Sequence, residues 1–193
     1  MGTVVRPISN EDDYDLDLVC QFEEKYGLTA KEMKVDVVKP LLVKYKVSQN
    51  EIEEKRRCWH IEYKDIPYFH MDVIPAYAQK PSIKITDHDE ELNTYKYIGS
   101  NPSGYVTWFF ERCAKQRMRL YEQYVKEHRE VVAQAEIEDV KRRKIKTPLQ
   151  RVVQLLKRHR DIMFKDDQSG NKPISIIITT IAASLYNEED NIY

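Results

Sequence analysis

Cysteine is scarce in this 193-residue chain: three residues, Cys20, Cys58 and Cys113, stand far apart with no CxxC pair. That spacing offers neither a zinc site nor a disulfide framework. It fits a reducing, cytoplasmic setting. Glycine at 5 and proline at 8 are too few for a collagen-like or disordered chain. An excess of one charge is also missing. Lys and Arg number 31 and Asp and Glu 32, leaving a net charge of −1. A basic field over the whole protein, as nucleic-acid binding would need, is excluded. No apolar run is long enough to span a membrane. The start, MGTVVRPISNEDDYD, turns acidic at once and does not read as a signal peptide. Its sixth residue is Arg6, where a myristoylation signal has Ser or Thr.

What the chain does have is enough apolar residue for a core, 41% hydrophobic and 10% aromatic. Its length suits one domain or a little more. The charge is locally uneven. Residues 1–30 carry a net charge of −5 and residues 111–160 a net charge of +8. An acidic end and a basic end could together hold a metal and a polyphosphate; solvated helix faces explain the same pattern equally well.

Tyr14–Phe22 (YDLDLVCQF) is rich in branched apolar residues and predicts a strand. Leu28–Lys46 has helical apolar spacing, with Thr29 as cap and Pro40 as a source of a kink. Arg57–Tyr63 and Tyr68–Ile74 alternate on either side of Lys64–Pro67, which predicts a hairpin. Pro75–Pro102 reads mostly as loop, with a short strand at Ser82–Thr86. Gly104–Val132 reads as one helix, and Ala133–Lys146 as a linker or its continuation. Thr147–Phe164 is a helix with Thr at the cap and Pro in the first turn. Lys165–Lys172 is a loop, Pro173–Tyr186 a buried helix, and the acidic Asn187–Tyr193 a frayed tail. This order predicts an α/β (α+β) fold with a mixed sheet and a helical second half, divided as 1–102 and 103–193.

Asp13, Asp15 and Asp17 alternate in DYDLD. On a strand, Asp15 and Asp17 point to one face. Two adjacent carboxylates repel, and a hard divalent cation relieves the repulsion. Chance acid-x-acid triplets are common in a chain with 32 acidic residues, so an acidic turn explains DYDLD on its own. Asp72, in HMDVIP, lies inside an otherwise apolar strand with His70 on its face. A carboxylate there needs a partner, a proton or a metal. The plain alternative is an edge-strand Asp bonded to a neighbouring His or Arg. Three Asp on two strands would suit two-metal nucleotidyl transfer.

The segments GTVVRP, DYDLD, HMDVIP, NPSGYVTWF, LLKRHRD and PISIIITT occur in that order from Gly2 to about Tyr186. In combination they resemble the CD-NTases, bacterial cyclic-oligonucleotide synthases related to cyclic GMP–AMP synthase within the polymerase-β-like nucleotidyltransferase superfamily. The resemblance implies a nucleotidyltransferase core followed by helices. It implies an enzyme that joins nucleoside triphosphates into a cyclic di- or trinucleotide, a second messenger in anti-phage defence. It implies Asp15, Asp17 and Asp72 as ligands of Mg²⁺ or Mn²⁺, with Asp72 assisting deprotonation of the attacking hydroxyl. Lys157 and Ser175 are then similar to triphosphate-contacting residues; whether Arg6 and Arg160 also face the site is not decided by their spacing. The family's Gly-Ser pair upstream of GTVVRP has no counterpart here, so the resemblance is to a form truncated at both ends, with apolar surface of the first strand left uncovered. Two alternatives stand beside this reading: an inactive remnant that only binds nucleotide, and a template-independent RNA-end transferase. The expected partners are nucleoside triphosphates and a regulatory protein, with no membrane and no stably bound nucleic acid.

Overall fold

The computed structural model describes residues 1–5, 14–23, 26–44, 52–63, 69–127, 145–167 and 169–192. Its strands are β1 (Tyr14–Phe22), β2 (Ile52–Glu54), β3 (Trp59–Glu62), β4 (Phe69–Gln79), β5 (Ser82–Asp89) and β6 (Thr94–Ser100). The α-helices are α1 (Lys39–Lys44), α2 (Pro102–Arg112), α3 (Ala114–Glu127), α4 (Pro148–Met163) and α5 (Ser175–Leu185). Two compact units result: Pro7–Gly104, and Met1–Arg6 with Tyr105–Tyr193.

The sheet lies in the first unit and is mixed. β1 runs parallel to β4 along its whole length, from Tyr14↔Phe69 to Phe22↔Tyr77. The other edge of β4 is shared. β3 pairs antiparallel with His70–Val73, and β5 with Ala76–Gln79. Pro75, which has no N–H to give, falls where one partner hands over to the next. β2 and β6 complete the order β2-β3-β4-β5-β6. The hairpin of β3 and β4 is the one expected from the alternation, its turn lying outside the described residues. The loop expected over Pro75–Pro102 is instead the end of β4 together with β5 and β6. Pro81 sits in the tight Lys80–Pro81 turn rather than ending the sheet.

Alternation divides the sheet into two faces. One carries Trp59, Ile61, Met71, Val73 and Tyr77 into a core with Met33 and Val38. Thr29 opens the covering helix with a capping box: its Oγ1 accepts from Glu32 N at 3.2 Å while the Glu32 carboxylate accepts from Thr29 N at 2.8 Å. Glu32–Val38 then takes the wide π form, with Lys39 N–H bonded to Lys34 O, before α1 begins. Pro40 lies in the first turn of α1, directly after this widening, where its missing N–H and bulky ring disfavour an ordinary α-turn behind it. Leu16 and Leu18 stand on the core-side face of β1, yet each remains nearly half exposed (45% and 49%).

The second unit has its own core, in which α2, α4 and α5, with the residue that follows α2 and the one that follows α5, give three pairs one turn apart: Phe109 and Cys113, Leu149 and Val153, Ala183 and Tyr186. The helix expected over Gly104–Val132 is broken at Cys113 into α2 and α3, and residues 128–144 lie outside the described ones. Thr147 caps α4 through a capping box with Gln150, as its sequence predicts. α5 is a helix but not the buried one expected. Thr179 and Ala183 are buried, while Ile176, Ile177, Ile181 and Leu185 are exposed. The acidic tail is not frayed over its described part. Arg112 donates to the carbonyls of Ala183 and Tyr186 at 2.9 and 2.7 Å, and Arg119 reaches Asp190 at 2.8 Å. Gln116 and Lys115 hold Glu188. The basic face of α3 supplies the counter-charge that the tail's composition lacks.

Candidate metal centre

The second face of the sheet is polar, and the strand register makes it so. In a parallel pair, facing residues project to the same side, so Asp17↔Asp72 and Asp15↔His70 put four groups together. His60↔Asp72 in the β3–β4 pair adds a fifth from the other edge. Carboxylate oxygens of Asp15, Asp17 and Asp72 all lie within 4.8 Å of one another. Asp15 and Asp17 are exposed and Asp72 is half-buried.

The three carboxylates strain one another electrostatically. Burial, then the charges of Asp15 and Asp72, push the Asp17 carboxyl above its ordinary value, with His70 pulling the other way. A cation removes that penalty. The donor set is all oxygen and all anionic, which suits a hard divalent ion such as Mg²⁺ or Mn²⁺. The residues therefore fit the group that the sequence resemblance implies.

Asp72 is not the edge-strand residue of the plain alternative; it stands on the central strand, bonded on one side. His60 Nδ1 lies 2.8 Å from Asp72 Oδ1. Burial, then the Asp72 carboxylate, push the Cys58 thiol up to about 12, so it stays protonated. His70 Nε2 stands 3.3 Å from Asp15 Oδ1, and the rings of His60 and His70 are 4.7 Å apart. His60 and Cys58 were not singled out from the sequence. The signal was there in RCWHIEY, whose alternation puts His60 on the face opposite Trp59 and Ile61.

Lys157 and Ser175 belong to the helical unit. Lys157, half-buried on α4, donates to Thr3 O at 3.3 Å. Burial, then the nearby Arg160 charge, lower its pKa. Ser175 is the exposed first residue of α5, and its Oγ accepts from Arg160 at 3.0 Å. Arg160 also reaches Pro173 O at 3.0 Å, so it ties α4 to the start of α5. Arg6 and Asp13 lie outside the described residues.

Residues 1–77 match the family described as cyclic GMP-AMP synthase DncV-like, nucleotidyltransferase domain, a match that takes in all three aspartates. The match covers 77 of the 193 residues. Over 202 aligned residues, the chain is 32% identical to the c-di-GMP synthase of Roseivirga ehrenbergii, covering all of this chain and 48% of that protein. The chain thus spans about half the length of the curated relative it matches. Two solved structures share the fold. One is a CD-NTase of Bradyrhizobium diazoefficiens in complex with GTP, with a TM-score of 0.60 and 24% identity, over 94% of this chain and 53% of that one. The other is a cyclic dinucleotide synthase of Elizabethkingia meningoseptica with GTP and Apcpp, with a TM-score of 0.53 and 15% identity, over 88% and 54%. The resemblance to the CD-NTases that the ordered motifs carry is borne out. No helix among the described residues is long and apolar enough to cross a membrane.

Proposed function

We propose that the chain is the catalytic portion of a cyclic-oligonucleotide synthase that joins nucleoside triphosphates and releases pyrophosphate. One observation carries the reading: Asp15, Asp17 and Asp72 hold three carboxylates within 4.8 Å on the polar face of the nucleotidyltransferase domain. Asp15 and Asp17 would ligate the metal that holds the triphosphate. Asp72 would share the second ion and draw the proton from the attacking 3′- or 2′-hydroxyl. The bound divalent ions would supply charge neutralisation at the phosphates and a lowered pKa for that hydroxyl. Lys157 and Ser175 we assign to triphosphate binding. Lys157 would exchange its bond to the Thr3 carbonyl for a phosphate oxygen. Ser175 would offer its hydroxyl beside the Arg160 guanidinium at the start of α5, where backbone N–H groups and the helix dipole favour an anion.

The names of the relatives support cyclic products over a long linear RNA tail, and they make guanine the first base to look for. Neither the inactive remnant nor the RNA-end transferase gains from them. A regulatory protein partner, a role in anti-phage defence and a cytoplasmic location follow from the sequence resemblance and complete the proposal.

The test is incubation of the purified chain with labelled ATP, GTP, CTP and UTP plus Mg²⁺ or Mn²⁺, followed by phosphatase. The expected result is a small phosphatase-resistant product that disappears in Asp15→Asn and Asp72→Asn. Long linear products would overturn cyclisation. A folded wild type that makes none would overturn the assignment of activity to this chain.

A further inference from the structure

His60 has no part in the reading above, and its surroundings are specific. It lies on β3, paired directly with Asp72 across the antiparallel ladder. Its Nδ1 is 2.8 Å from Asp72 Oδ1, the geometry of a full hydrogen bond. An ionised carboxylate can only accept, so the ring must present N–H at Nδ1. The strands on both edges of β4 thus act on Asp72: β1 sets Asp17 beside it, and β3 sets His60 beside it. The side chains are only partly exposed, 26% for His60 and 25% for Asp72, so the bond is shielded from competing water. On its far side the His60 ring leans against His70, 4.7 Å away at 44°, and His70 in turn stands on Asp15.

We propose that His60 is a positioning residue for the metal centre, holding Asp72 Oδ1 so that the carboxylate faces Asp15 and Asp17. A free aspartate in this company would rotate away from its two like-charged neighbours. The imidazole N–H stops that rotation from the side opposite β1. Ligating carboxylates that lose such a partner typically lose about 10–100-fold in metal affinity. The proposal rests on the reading of the three aspartates as a metal site.

Mn²⁺ binding by the purified chain without nucleotide, followed by electron paramagnetic resonance, tests it without recourse to activity. Wild type, Asp72→Asn, His60→Ala and His60→Asn are compared, each checked for folding by circular dichroism. Asn carries an N–H close to the place of Nδ1. The expected result is Mn²⁺ bound by wild type, lost in Asp72→Asn, weakened about 10–100-fold in His60→Ala and largely recovered in His60→Asn. If His60→Ala does not fold, His60→Gln replaces it: Gln carries its N–H out at the place of Nε2 and should bind weakly. Wild-type affinity in His60→Ala or His60→Gln overturns the proposal and leaves the metal site standing. Equal weakening in His60→Asn and His60→Ala also overturns it, because the N–H would then not be what matters. A wild type that binds no Mn²⁺ overturns the metal-site reading and this inference with it.

Discussion

Three carboxylates within reach of one ion make a site that costs stability until the ion arrives. Asp17 shows this in its raised pKa, caused by burial first and by Asp15 and Asp72 next. Asp17→Asn should therefore raise the melting temperature of the metal-free protein. The sign follows from linkage. A carboxyl whose pKa is higher folded than unfolded penalises the fold fully at pH above the folded value. The penalty fades as pH falls through that value. The advantage of Asp17→Asn is thus expected at pH 7 and should shrink as the pH is lowered towards the ordinary carboxylate range. Mn²⁺ should raise the melting temperature of wild type and not of the variant. Scanning calorimetry at several pH values checks both; a variant that melts below wild type at pH 7 would remove the argument. Most of this was legible in the sequence. DYDLD at strand spacing gave Asp15 and Asp17, and the lone acid in YFHMDVI gave Asp72. The direct Asp17↔Asp72 pairing was not legible, because a strand's pattern fixes its faces and not which neighbour it meets, nor in what register.

Among the elements, those with local signals were readable and those set by partners were not. Thr147 and Pro148 mark the start of α4 because capping is a matter of four residues. The β5–β6 pair was hidden: Pro75, Pro81 and Pro102 look like loop punctuation, yet they sit at a handover between strands, in a tight turn and at the start of α2. The break at Cys113 has neither Gly nor Pro to announce it. Lys34 is a further case. A lysine in a helix normally points to water, yet this one is fully buried. Its Nζ bonds to the carbonyls of Lys55 and Arg56 and pairs with Glu54 at 3.2 Å, while Trp59 Nε1 bonds to the Lys34 carbonyl at 2.9 Å. Burial lowers its pKa, and the Glu54 charge opposes the fall. This lysine fastens the covering helix to the segment that leads into Cys58 and β3. Lys34→Met keeps the length and removes the donors: the Lys55 carbonyl loses its ammonium partner, while the Arg56 carbonyl keeps the His88 N–H at 2.8 Å and Glu54 keeps the Tyr95 hydroxyl at 3.1 Å. One buried group orphaned in this way costs about 1–3 kcal/mol. Urea unfolding should therefore show a loss of about 1–3 kcal/mol, and a loss near zero would mean water takes the place of the ammonium.

At the scale of the whole chain, the first residues do not belong with the strand that follows them. Met1–Arg6 is part of the helical unit although the sheet unit begins at Pro7. The link is a row of side chains one turn apart on α4. Gln150 Nε2 donates to Met1 O at 2.6 Å, Gln154 Nε2 to Val4 O at 2.7 Å, and Lys157 Nζ to Thr3 O at 3.3 Å. Thr3 is buried, and Met1 packs against the core of α2, α4 and α5. No sequence pattern announces a contact between partners 150 positions apart. For the same reason Lys157, read from its motif as a phosphate ligand, is found with the Thr3 carbonyl as a partner as well. Removing residues 1–4 should therefore be felt on α4. Three donors would lose their carbonyls, and the core would lose Met1. Hydrogen exchange followed by mass spectrometry should show faster exchange in peptides from 148–163, with peptides from β3 and β4 little changed. Faster exchange confined to the sheet would place the first residues energetically with the strand they precede. The bonds to α4 would then contribute little, and Lys157 would be free to hold a phosphate without releasing anything that stabilises the fold.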